Sequence, residues 1–102
     1  MIDKKAANNI KRAIGHEYQN IRIQHGEKYH SDHEGYSVLL EEVEEAKEEL
    51  RGVDRMLKHV WKCVRFNRDS KNEYLRRVQL IAKAAAEEMV QVAAVAKKWE
   101  GL

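Results

Sequence analysis

Between Glu34 and Val64 the chain repeats one pattern. Tyr36, Leu39, Val43, Ala46, Leu50, Val53, Leu57, Val60 and Val64 follow one another in alternating steps of three and four. That spacing predicts a long helix with an apolar seam packed against other helices. A second pattern is laid beside it. Glu42 and Glu49 each precede a seam position by one residue, and Glu45 stands between them, so the three acids share one helix edge. Ser31-Asp32-His33-Glu34 reads as a capping box that opens this helix. The seam stays in phase through Gly52, which favours an unbroken helix to about Phe66, with a kink at the glycine as the alternative.

The flanking segments follow the same logic. Ala7, Ile10, Ile14 and Ile21 form the apolar stripe of a first helix from about Asp3 to about Ile23, and Glu17 falls in line with them. Asp3 is the expected N-cap, and Gly26 lies at the centre of the loop that follows. Asn67, Arg68 and Asp69 predict a tight turn, after which a second capping box, Ser70-Lys71-Asn72-Glu73, starts a last helix reaching about Trp99. Its seam is Tyr74, Val78, Ile81, Ala85, Glu88, Val92, Val95 and Trp99. Glu88 is the misfit. A carboxylate at a core position has to be paired, bound to a cation or protonated, because an uncompensated buried charge is too costly. Lys47 and Arg51 are the bases placed to pair with it, and Glu17 reads either as a fourth acid at the same site or as an edge residue, the edge being favoured.

The expected architecture is therefore all-α, a helical bundle made of a long antiparallel hairpin plus an N-terminal helix, with residues 1–102 as one domain. The absence of proline and the weight of Ala, Glu, Lys, Leu and Arg agree with it. A seam this long on both hairpin arms is more than a short first helix can cover, so a homo-oligomer, dimer or tetramer, is expected. Trp61 and Trp99 read as packing or subunit-contact residues. With no apolar run long enough for a bilayer, no signal-peptide core and one cysteine, Cys63, a cytoplasmic protein without membrane association is expected.

Charge is unevenly spread. Glu34 to Leu50 holds seven acids against Lys47 alone, whereas Arg51 to Arg77 holds nine bases against Asp54, Asp69 and Glu73. The bases near the turn, among them Lys58, Lys62, Arg65, Arg68 and Lys71, are spread round both helices, which argues against a nucleic-acid face. His16, His25, His30 and His33 cluster near the first loop without the spacing of a ligand motif and read as exposed loop residues. A hairpin turn centred near Arg68 would bring Glu45 level with Gln91 and Glu48 level with Glu88, within about one helical turn. Several carboxylates meeting inside a bundle suit Mg²⁺ or Mn²⁺, which take oxygen ligands.

Glu41-Glu42-x-x-Glu45 followed by Glu88-x-x-Gln91 resembles the paired motif E-E-x-x-E and E-x-x-D of the MazG-like, all-α nucleoside triphosphate pyrophosphatases. The segments His30 to Tyr36 and Glu88 to Ala96 are also similar to small proteins encoded by phages and prophages of Gram-positive bacteria. The resemblance runs from about Glu17 onward. It implies a magnesium site with Glu42, Glu45 and Glu88 as ligands and Gln91 in the fourth place. Glu41 would be a ligand or a catalytic residue beside them. The implied reaction splits a nucleoside triphosphate into monophosphate and pyrophosphate with an activated water. Gln91 stands where the family has aspartate, and the gap between the motif halves is longer than usual. Glutamine at that place also fits a relative that binds nucleotides without turning them over. The alternative is a non-enzymatic helical protein that works by oligomerising or by capturing a partner.

Overall fold

A computed structural model describes residues 1–101 and contains three helices among them: α1 (Lys4–His25), α2 (Asp32–Arg65) and α3 (Lys71–Glu100). Asp3 caps α1 as expected, its carboxylate accepting from the Ala6 amide at 2.8 Å. Gly26 closes the helix at φ 90°, a conformation that a side chain would resist. Ser31 caps α2 through its hydroxyl, which accepts from the Glu34 amide. The reciprocal half of the box is shifted by one residue, since the Glu34 carboxylate accepts from His30 N–H instead of Ser31 N–H.

The second capping box does not form. Ser70 precedes α3 without a side-chain cap bond, and its hydroxyl lies 3.4 Å from Cys63 Sγ across the hairpin. Glu73 pairs with Arg77 at 2.7 Å instead of reaching back to the chain entry. Tertiary contact at the hairpin tip has taken the hydroxyl away from the helix end. The turn itself falls where the sequence places it, with Asn67 in the left-handed region at φ 51° and Arg68 N–H bonded to the Cys63 carbonyl.

α3 is the central element and packs against both other helices, while α1 and α2 do not pack on each other. The expected α3 seam faces inward along its whole length: Ala85 and Val95 are buried, and the other six positions are half-buried. α2 is rotated from expectation. Leu39, Ala46, Val53 and Val60 turn inward, joined by Glu42, Glu49, Met56 and Cys63, while Leu50, Leu57 and Val64 are each 57% exposed. With α3 as its only neighbour, α2 can cover one half of a two-sided seam. α1 docks through Ile14, Glu17, Tyr18 and Ile21, and Ile10 near its start remains exposed.

Gly52 sits inside an unbroken α2 at a close approach to α3. A Cβ there would lie 3.2 Å from Ile81 Cγ2. Gly35 makes a closer one, with the Trp99 ring 2.6 Å from where its Cβ would be. Trp99 is held over it by a 3.0 Å hydrogen bond from Nε1 to Asp32 and an edge-on contact with Tyr36. The hairpin register is one turn displaced. His59 stacks on Tyr74 and Glu45 meets Glu88, where a turn centred on Arg68 would have put Glu48.

Candidate metal centre

The two helix pairings leave a wedge between α1 and α2, floored by α3. It forms a cavity of about 530 Å³. Glu42 and Glu45 enter from α2, Glu88 and Gln91 from the floor, and Glu17, Gln24 and His25 from α1. Glu42, Glu45 and Glu88 each offer a carboxylate oxygen within 4.8 Å of the other two. Glu42 and Glu45 come together because they stand one turn apart on one helix face. Glu88 joins them because the α3 seam position that sequence periodicity assigns to it points at α2.

One oxygen of Glu88, Oε2, is buried without a hydrogen-bond partner. The bases that could have neutralised it are engaged elsewhere. Lys47 pairs with Glu44 at 3.5 Å and Arg51 with Glu48 at 3.0 Å, on the exposed side of α2. The guanidinium of Arg51 holds the Glu48 carboxyl below its usual range. With no base paired to them, Glu42 and Glu88 hold their protons more tightly than a free glutamate does. Burial, then repulsion from Glu45, Glu88 and Glu41, pushes Glu42 up to about 7. Burial and the adjacent Glu45 carboxylate raise Glu88 as well. A group of hard oxygen donors, one of them buried and unpartnered, fits Mg²⁺ or Mn²⁺. Three oxygens on one octahedral Mg²⁺ include at least two neighbouring pairs about 3 Å apart, so a bound cation would draw the cluster together.

Glu41 is exposed and lies outside the cavity lining, although its charge is felt by Glu42. Glu17, read from the sequence as an edge residue, instead lines the cavity. His16, His25, His30 and His33 are all exposed. Two further residues escaped sequence reasoning. Tyr29, in the loop after α1, is buried and lines the cavity, and that burial, followed by Glu34 and Glu42, raises its phenol. Lys98 is 2% exposed and also lines it. A signal for Lys98 was available, because it continues the row Glu88, Gln91, Val95 in steps of three and four. No family model, curated protein or solved structure matches the chain. No helix among the described residues is long and apolar enough to cross a membrane.

Proposed function

We propose that the wedge is a divalent-cation site serving a nucleotide, in a protein related to the MazG-like nucleoside triphosphate pyrophosphatases. The observation that carries this reading is the convergence of Glu42, Glu45 and Glu88 on the wall of a cavity large enough for a small molecule, with Glu88 Oε2 left unpartnered. Glu42, Glu45 and Glu88 would hold Mg²⁺ or Mn²⁺, and Gln91 would offer an amide oxygen or bond a water beside them. Such an ion, when bound, neutralises phosphate charge and makes a bound water more acidic. The chain's own part is to hold three carboxylates together against their repulsion. Glu42, which retains a proton to about neutrality, is the group placed to take up or release one as the site fills. Gln91 in place of an acid lowers the site's negative charge, so catalysis is expected to be slow beside cation binding. Release of pyrophosphate from nucleoside triphosphates with Mn²⁺ tests the reaction, with the Gln91→Asp variant as its companion. A gain in Mn²⁺ affinity and in pyrophosphate release with Gln91→Asp supports the reading. No binding of Mn²⁺ by either protein refutes it.

The same reading includes a second copy of the chain. Leu50, Leu57, Trp61 and Val64 lie on one face of α2, each more than half exposed, and α1 leaves that face open. An exposed apolar face of this kind is the form a helix takes when its partner lies in another subunit. It also supports the second reading, a helical protein that acts by oligomerising, which failure of the cation test would leave standing.

A further inference from the structure

Lys98 is the one charged residue buried among those described, at 2% exposure. No carboxylate among the described residues lies within ion-pair distance of it. Its ammonium stands 4.1 Å from the centre of the Tyr29 ring, and both residues line the wedge. A lysine enclosed to this degree, with its ammonium beside a cavity, favours an anion or a hydrogen-bonded partner there, and an aromatic face meets that need only in part. Lys98 lies about 15 Å along α3 from Glu88, and its side chain leans back toward the carboxylates, as side chains on a helix do. One helix thus carries Glu88 and Lys98 on the wall of a single cavity, which Glu17 and Glu34 also line.

We propose that Lys98 anchors the far end of a polyphosphate chain whose near end meets the cation at Glu42, Glu45 and Glu88. This rests on the proposed cation site and adds a direction to it: the phosphates run along α3 toward the C-terminus of that helix. The spacing selects for chain length, since a single phosphate at the cation does not extend to Lys98. Lys98 is a binding and positioning residue, and its contribution appears as a preference for longer phosphate chains.

Inorganic tripolyphosphate and orthophosphate are the probes, titrated calorimetrically into the wild type and Lys98→Met in the presence of Mn²⁺. Lys98→Met is expected to weaken tripolyphosphate binding by roughly 10- to 100-fold, the usual loss for a charge-assisted contact. Orthophosphate binding and Mn²⁺ binding in the absence of phosphate should be unchanged. Equal tripolyphosphate affinity in the two proteins overturns the proposal. If the wild type binds no Mn²⁺, the cation reading has failed by itself. Tripolyphosphate binding without metal that still depends on Lys98 then upholds the anion site, and its absence overturns it. Should Lys98→Met not fold, the Lys98 side-chain methylene resonances of the wild type give the answer with Mg²⁺ present. They shift on addition of tripolyphosphate if the proposal holds, and an unmoved resonance overturns it.

Discussion

Replacing Glu88 by glutamine keeps the shape of the side chain and removes one negative charge from a cluster of three. Two consequences follow, and they have opposite signs. In the absence of metal, Glu42 is pushed from 4.5 to about 7, with burial first and the neighbouring carboxylates after it. A folded-state value above the unfolded one means that the native protein binds more protons between those limits. Stability therefore falls as pH rises through that window, and the full cost is present above about pH 7. The whole shift would correspond to roughly 3 kcal/mol, which solvent screening in an open wedge reduces to about 1–2 kcal/mol. Glu88 is one of several causes, so its removal should return about 1 kcal/mol at pH 8, an increase in Tm of about 4–8 °C for a domain of this size. The gain should shrink as pH falls through that window and vanish below about pH 4, where Glu42 is protonated in both states. With Mn²⁺ at a hundred times its Kd, the wild type should be stabilised by about 2.7 kcal/mol. Glu88→Gln should lose most of that response. Four melting curves at pH 8, each protein with and without Mn²⁺, decide the matter. A lower Tm for metal-free Glu88→Gln would mean that Glu88 is paired with a base after all. A wild type whose Tm ignores millimolar Mn²⁺ would refute the cation site.

Gly35→Ala should destabilise by about 2 kcal/mol, because the new methyl meets a Trp99 ring pinned by Asp32, and thermal melting reads the loss. Gly52→Ala should cost less, since the Ile81 methyl it meets can shift by a few tenths of an ångström and alanine favours the helix by about 1 kcal/mol. Sedimentation of the wild type should show a dimer or larger, and Leu57→Glu should shift it to monomer at micromolar concentration. A monomeric wild type at high micromolar concentration would remove the second copy from the reading. Retention on DNA should be weak and fall steeply with salt, and a tight complex at physiological salt would show that the basic hairpin tip has been undervalued.

The sequence by itself determined the local elements, because the signals that specify them are local. Steps of three and four fix which residues share a helix face. Asp3, Ser31, Gly26 and Asn67 mark where helices begin, end or turn, within a residue or two. The α3 seam was legible complete, and with it the misplacement of Glu88, since a carboxylate at a core position is visible from spacing alone. That Lys47 and Arg51 pair with Glu44 and Glu48 and leave it without a base was decided by the structure. The neighbourhood of the acid row and Glu88 could be reached from the hairpin turn to within one helical turn.

What lay beyond the sequence depended on how whole helices meet. The level pairs on α2 and α3 were set by packing at Gly35–Trp99, Gly52–Ile81 and Cys63–Ser70, which chose Glu45 over Glu48 as the neighbour of Glu88. The rotation of α2, which turned Glu42 inward and left Leu50 and Leu57 outside, followed from α1 docking on α3 alone. A seam records that a helix has apolar neighbours without recording how many or in which subunit. That same docking opened the wedge, and only the wedge gave Glu17, Tyr29 and Lys98 a common cavity with the carboxylates.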